Sequence, residues 1–230
     1  MKKKTIKTLQ TFIRATLSEN KQQIFRGQEN AEWSITAGIG RSSINFASAK
    51  TLKSKALAER KAIILFEERS HLIRKHHPAN ELEMMALAQH YGLPTRLLDW
   101  TLSPLVALFF AVESLAPTPG VVYMQARHDE VLSHKSVPKD PFEIDNDMLY
   151  APPWIDARIQ AQQGVFILMK NPYEPYQEES LTAFVIPADA KKTIKRELWR
   201  MGMHAGIVFP GLDGLAKYIT ALRFSGSILD

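Results

Sequence analysis

The segment from Pro104 to Ser114 restricts the fold more than any other part of the sequence. Ser103 and Pro104 make a strong helix start, because a serine side chain caps free backbone N–H groups and proline suits the first turn. The helix that follows is apolar on almost every side, with the run Leu105-Val106-Ala107-Leu108-Phe109-Phe110-Ala111. A helix without a polar face has to be covered by other elements all round. We therefore expect this helix to be central and buried.

The rest of the pattern indicates an α+β fold. The longest predicted element is a helix from about 50 to 75, because apolar residues recur there every three or four positions. Helices dominate the first half of the chain and strands the second, so we expect helices packed on a small mixed sheet. We expect one domain, 1–230, with a core from about 20 to 222 and an N-terminal helix within 1–19. The other predicted helices are 5–17, 81–91, 190–201 and 212–222; the predicted strands are 23–26, 121–125, 165–169, 181–186 and 206–209; and 127–153 is expected to be a long loop with little regular structure.

The composition limits which cellular compartment and which kinds of catalysis we expect for this chain. The chain has 230 residues and no cysteine, which excludes disulfides and thiolate catalysis. No apolar run follows the basic start Met1–Lys4, and the longest apolar stretch, 105–112, is too short to cross a bilayer. We expect a cytoplasmic protein without a membrane partner. No metal is expected either, because His71, His76 and His77 do not share one helix face.

The net charge of +5 comes largely from three basic clusters, at 2–4, 50–61 and 191–200. Such clusters on helices are usually solvated faces. A nucleotide or nucleic-acid partner is the alternative, because phosphates are attracted to basic patches.

Glu59 stands out because it falls on the apolar stripe of the long helix, between Ala56 and Ile63. An unpaired buried carboxylate costs several kcal/mol. We therefore predict that Glu59 faces inward and pairs with an arginine, for which Arg26, Arg41 and Arg96 are the candidates. The alternative is a carboxylate that reaches solvent past the edge of the stripe.

Several segments together resemble the FRG-domain family. The signature that names the family is present as Phe25-Arg26-Gly27-Gln28, and Trp33 and Arg41 follow at suitable intervals. The most specific segment runs from Ala86 to Thr101 with the sequence ALAQHYGLPTRLLDWT, and it continues into the apolar helix. Later blocks around 158–166 and 210–214 also match, so the resemblance spans about residues 20 to 220.

The FRG pattern is in turn distantly similar to ADP-ribosyltransferases. This resemblance implies a split sheet like the one in those enzymes. It implies that Arg26, at the end of a strand, grips NAD as a co-substrate, and that Thr101 lies in the middle of the site. A guanidinium suits this role because its planar fork holds a diphosphate bidentately. The position of the family's later carboxylate is occupied by Gln163, which is neutral and cannot act as a base. Glu59 or Asp99 would then have to supply the carboxylate.

The candidate cofactor-binding residues are polar or aromatic side chains close to these motifs: Arg26, Gln28, His90, Tyr91, Arg96 and Arg158. We predict that Arg26, Gln28, His90, Asp99 and Thr101 converge on one cleft. Each has a structural alternative. Arg26 could pair with Glu59 or Asp99, His90 could be a packing residue, and Arg96 could bridge to Asp99 across a turn.

Two functional hypotheses follow. The first is an NAD-dependent mono-ADP-ribosyltransferase or NAD glycohydrolase that acts as a toxin or phage-defence effector, with a protein or nucleic acid as acceptor. The second is a non-catalytic module that binds a nucleotide, a dinucleotide or a nucleic acid on the same scaffold. Gln163 favours the second hypothesis, and the concentration of polar residues between 89 and 101 favours the first.

Overall fold

The computed structural model describes residues 1–17, 21–47, 49–74, 77–128 and 130–224. All strands in this part of the chain join one mixed sheet of eight strands, in the order β1-β8-β4-β2-β3-β7-β6-β5. The outer pairs β1/β8 and β5/β6 are parallel, and the pairs between them are antiparallel. The strands are β1 Lys2–Thr5, β2 Gln23–Gln28, β3 Leu97–Thr101, β4 Gly120–Ala126, β5 Val131–Leu132, β6 Met148–Tyr150, β7 Gly164–Leu168 and β8 Thr182–Ile186.

Eight α-helices lie among the described residues, and several begin at side-chain caps that the sequence provides. Thr51 and Ser54 form a reciprocal capping box at the start of α2, and Asn80 and Ser103 cap α3 and α4. The predicted α+β class is confirmed. The helices are α1 Leu9–Leu17, α2 Leu52–Ser70, α3 Glu81–His90, α4 Pro104–Val112, α5 Ala157–Ala161, α6 Ala188–Arg200, α7 Ala205–Val208 and α8 Leu212–Phe224.

Two apolar clusters cover one face of the sheet and leave a gap between them. The first cluster packs α1, α4 and α6 against β2, β4 and β8, and it includes Phe25 and Phe184. The second packs α2 and α3 against β3, β6 and β7 around Leu97 and Phe166. The apolar helix α4 lies in the first cluster and is buried along most of its length, as predicted. The opposite face of the sheet forms a third cluster, which the chain around Ile35 and Tyr176 covers.

Three predicted elements differ in the structure. Residues 206–209 are not a strand: the short helix α7 occupies 205–208, and Val208 packs in the first cluster while Ile207 is exposed. A short apolar run does not distinguish a strand from a packed helix. Thr5, the predicted start of the first helix, instead ends the edge strand β1, and α1 begins at Leu9. The β1 backbone pairs with β8 although all four of its side chains are exposed. The predicted loop 127–153 contains β5 and β6, which extend the sheet beyond β7.

Candidate functional site

The sheet opens between β2 and β3. These strands share the single residue pair Phe25–Thr101, whereas β2 pairs with β4 along six positions. A cleft of about 500 Å³ lies at this opening. We call it the first cleft. Its wall includes polar groups from β2, β3, α3, α5 and the ends of the 3₁₀ turn 38–40 and of α5: Arg26, Arg41, Gln89, Asp99, Thr101, Arg158 and Gln162.

Arg26 bridges the opening with its side chain. Its Nη1 donates to the backbone carbonyl of Asp99 at 2.6 Å, a contact that takes the place of the missing strand pairing. Its Nε donates to Oε1 of Gln28 at 3.2 Å, and Nη1 lies 3.9 Å from the Asp99 carboxylate. Burial lowers the pKa of Arg26, Asp99 opposes that shift, and the nearby charge of Arg41 adds to it. Arg26 thus holds the two strands together and presents a positive charge to the cleft.

Arg41 supplies the second positive charge. It follows the short 3₁₀ turn Gly38–Gly40, and its side chain is exposed. None of the residues that the structure describes forms an ion pair with it. The two guanidinium groups therefore act on each other, and among the residues that line the first cleft only Asp99 carries a counter-charge. Such an arrangement favours an anionic ligand.

A second cleft, of about 720 Å³, adjoins the first. The two clefts share Arg26, Gly27, Arg41, Ser43 and Phe110. The arginines therefore stand on the wall common to both clefts. An anion held by both guanidinium groups would lie at the junction.

Asp99 and Thr101 project from β3 into the first cleft. The Asp99 side chain is 60% exposed, and its Oδ1 accepts a hydrogen bond of 2.6 Å from Nε2 of Gln89. Gln89 in turn accepts a short hydrogen bond from the Thr95 hydroxyl, which fixes the orientation of its amide. Asp99 is therefore an oriented and accessible carboxylate.

The hydroxyl of Thr101 is engaged in the protein. It donates to the backbone carbonyl of Gln162 at 2.6 Å and accepts from the backbone N–H of Ser103 at 2.9 Å. Thr101 thereby links the end of β3 to the segment after α5 and to the start of α4. Its hydroxyl proton is committed to that link.

Glu59 and Arg96 form a buried ion pair, so the predicted pairing of Glu59 with an arginine is confirmed. The Arg96 side chain is 2% exposed and the Glu59 side chain is fully buried; Arg96 Nη2 lies 3.0 Å from Glu59 Oε2. Burial raises the pKa of Glu59, and the charge and hydrogen bonds of Arg96 oppose that shift. The guanidinium of Arg96 also lies over the ring of Phe142, 4.1 Å from its centroid. Neither residue lines the two clefts. The ion pair instead joins α2 to the start of β3.

The other candidate residues occupy different positions around the clefts. Arg158 lines the first cleft and lies over the Phe209 ring, and Gln28 lines the second cleft. His90 lies outside both linings and contacts Asp156 at 3.4 Å, while its neighbour Tyr91 is exposed. Burial lowers the pKa of His90, and the Asp156 charge opposes that shift.

Gln163 has a left-handed backbone (φ 46°) and an exposed side chain, whereas its neighbour Gln162 lines the first cleft. The amide of Gln162 donates to the carbonyl of Val208 at 3.1 Å. Sequence reasoning did not assign a role in the site to Gln89, Gln162 or Arg41. Arg41 and Gln89 are both present in the family motifs, which is the signal that could have identified them.

Packing alone explains why Gly27 is present in the signature that names the family. A Cβ atom at this position would lie 1.9 Å from the carbonyl oxygen of Ala107 on α4. Glycine is therefore required for α4 to approach β2 this closely. That approach places Phe110 of α4 on the wall shared by the clefts.

Residues 21–118 match the family model of the FRG domain, which confirms the predicted resemblance for that segment. The matched segment contains β2, β3 and α4, and with them Arg26, Arg41 and Asp99. No curated protein and no solved structure matches the chain.

None of the helices in the described residues is long and apolar enough to cross a membrane. Within the same residues, no group of three or more histidine, aspartate or glutamate side chains is placed to hold a metal ion. His76 lies outside the described residues.

Proposed function

We propose that the protein binds NAD across the two clefts and acts as a mono-ADP-ribosyltransferase or NAD glycohydrolase. The observation that carries the proposal is the pair Arg26 and Arg41 on the wall common to both clefts, where Arg41 has no ion-pair partner among the described residues. A diphosphate between them would supply the missing negative charge, and guanidinium groups bind such oxygens bidentately. The two parts of a dinucleotide would then extend into the two clefts.

Asp99 is the residue we propose for the chemistry. Cleavage breaks the bond between the nicotinamide nitrogen and C1′ of the ribose, and the electron pair leaves with nicotinamide. The sugar becomes a cation, which an adjacent carboxylate stabilises. Water or an acceptor hydroxyl then attacks C1′ and gives up its proton to Asp99 or to solvent. Glu59 does not suit this role because its carboxylate is buried against Arg96.

The acceptor and the biological role follow from the reaction class. Hydrolysis would deplete NAD, and transfer would modify a protein or a nucleic acid. Either outcome suits a toxin or a phage-defence effector. The net charge of +5 favours an acidic macromolecule as acceptor.

A non-catalytic nucleotide-binding module is the second candidate. Two observations favour it: Gln163 is neutral, and the hydroxyl of Thr101 is held by the backbone of Gln162. In this case the arginines would hold the nucleotide as proposed, and Asp99 would act as a hydrogen-bond acceptor for a ribose hydroxyl. The two candidates share the ligand and differ in turnover.

Binding is tested first, with the variant Arg41→Ala. Arg41 is the better choice than Arg26, because loss of Arg26 would also remove the bridge between β2 and β3. At about 100 times its dissociation constant, a ligand stabilises the folded protein by about 2.7 kcal/mol. For a chain of this size the corresponding increase in melting temperature is roughly 5–11 °C. We expect NAD and ADP-ribose to produce this increase in the wild type and in the control Arg200→Ala, which changes an exposed arginine at the end of α6. Arg41→Ala should reduce it strongly.

Turnover is tested by the release of nicotinamide from NAD. On the transferase or glycohydrolase hypothesis the wild type releases nicotinamide and Asp99→Asn does not, although Asp99→Asn still binds ADP-ribose. Binding without release would select the binding module. Unchanged melting curves with millimolar NAD and ADP-ribose would refute both candidates.

A further inference from the structure

The second cleft contains an aromatic ring for which the proposed chemistry has no use. Trp33 lies on its wall with 52% of its surface exposed. A large flat ring on the wall of a cleft is a typical platform for a nucleobase, because stacking buries apolar area on both rings.

Trp33 is connected to the anion-binding wall through Gln28. The Gln28 side chain accepts from Nε of Arg26 at 3.2 Å and donates from Nε2 to the Trp33 carbonyl at 3.1 Å. Gln28 is 6% exposed, so both hydrogen bonds are largely shielded from water. The position of the Trp33 backbone is therefore tied to that of the Arg26 guanidinium.

The charges of the second cleft suit a neutral group rather than a further phosphate. Arg26 and Arg41 stand on the shared wall, whereas Glu29 and Glu113 line the second cleft alone. Lys195 lies 3.2 Å from the Glu113 carboxylate and offsets its charge, so Glu29 is the carboxylate that would repel an anion extending past the arginines. The hydroxyls of Ser34 and Thr36, which bond each other at 2.8 Å, add hydrogen-bonding groups on the same cleft wall.

We infer that the second cleft binds the base of a nucleoside diphosphate, which stacks on Trp33 while Arg26 and Arg41 hold its phosphates. Gln28 is then a positioning residue, which sets the distance between the phosphate site and the base site. This inference rests on the proposed function, and it assigns the adenine half of NAD to the second cleft and the nicotinamide half to the first, beside Asp99.

The experiment compares ligands that contain or lack the adenine base. Dissociation constants for ADP-ribose, ADP and nicotinamide mononucleotide are measured by calorimetry for the wild type, Trp33→Ala and Trp33→Phe. Trp154→Ala is the matched control, because Trp154 is also exposed (70%) and lies outside both clefts. We expect Trp33→Ala to weaken ADP-ribose and ADP by about tenfold or more, and Trp33→Phe to retain most of the affinity. Nicotinamide mononucleotide should bind the wild type and Trp33→Ala equally.

The role of Gln28 is tested by a double-mutant cycle. If Gln28 positions the tryptophan, Gln28→Ala weakens ADP-ribose, and the losses from Gln28→Ala and Trp33→Ala together are less than additive. Independent, additive losses would contradict the positioning role. Circular dichroism checks that each variant is folded.

The outcomes separate the inference from the function on which it rests. If the wild type binds neither NAD nor ADP-ribose, the proposed function fails and the inference fails with it. If the wild type binds ADP-ribose but Trp33→Ala binds it equally well, only the inference is overturned. An equal loss for ADP and nicotinamide mononucleotide would also overturn it, because the effect would not depend on the base.

Discussion

Replacement of Glu59 by glutamine tests how strongly the buried ion pair holds α2 against β3. The Glu59 carboxylate accepts from the Arg96 backbone N–H at 2.7 Å, from Nη2 at 3.0 Å and from Nε at 3.2 Å. An amide of the same size has a single acceptor oxygen, and its NH₂ group would face the donors of Arg96. The Arg96 guanidinium would remain buried without its counter-charge.

The expected loss follows from that geometry. Removal of one member of a buried ion pair costs about 3–5 kcal/mol, because the other charge stays buried and unpaired. For a chain of this length that loss corresponds to a decrease in melting temperature of roughly 6–20 °C. The measurement is urea denaturation of the wild type and of Glu59→Gln, followed by fluorescence. Glu68→Gln is the control, because Glu68 lies on the same helix with an exposed side chain; it should change the free energy of unfolding by less than about 0.5 kcal/mol.

A second pair of substitutions separates loss of charge balance from loss of packing. Replacement of both Glu59 and Arg96 by apolar residues of similar volume, Glu59→Leu with Arg96→Met, leaves no buried charge and should recover part of the stability. If Glu59→Gln unfolds at the same urea concentration as the wild type, the ion pair does not hold α2 against β3. A double variant less stable than Glu59→Gln by several kcal/mol would contradict the stated cost of the unpaired charge.

Two further predictions concern packing and pH. Gly27→Ala would bring a Cβ to 1.9 Å from the Ala107 carbonyl oxygen. We therefore expect the free energy of unfolding, measured by urea denaturation, to fall by about 1–3 kcal/mol or more. An unchanged midpoint would contradict the close approach of α4 to β2. His204 packs against both Trp199 and Tyr218, which stack on each other, and its Nδ1 is buried without a partner among the described residues. Burial lowers the pKa of His204 in the folded state, so the unfolded chain binds a proton more readily. The folded state is therefore destabilised as the pH falls below about 6.5, the usual pKa of a histidine. His204→Phe should therefore lose less melting temperature between pH 7.5 and 5.5 than the wild type does, and an equal loss in both would contradict this account.

Features that depend on neighbouring residues could be predicted from the amino-acid sequence alone. The helix α4 was predicted because Ser103 and Pro104 define its start and its side chains are apolar all round. The inward position of Glu59 followed from the helix period, and the cost of a lone buried charge required an arginine partner. The motif around Arg26 and the segment from Ala86 to Thr101 pointed to the part of the chain that forms the clefts.

Features that depend on residues far apart in the chain could be identified only from the tertiary structure. Three arginines were candidates for Glu59, and only the packing of α2 beside β3 selects Arg96. The edge strand β1 exists because its backbone pairs with β8, about 180 residues later, a bond that no side-chain pattern in Lys2–Thr5 reveals. Residues 205–208 form a helix because α8 and the first apolar cluster pack against them.

The candidate site shows the same division. Arg26 and Asp99 meet because β2 and β3 separate after one residue pair, and the Arg26 side chain fills the opening. His90, close to Asp99 in sequence, instead contacts Asp156 outside the clefts. The pattern of neighbouring residues in the sequence shows which side chains are available for chemistry. The long-range backbone pairing of the sheet decides which of them face the same space.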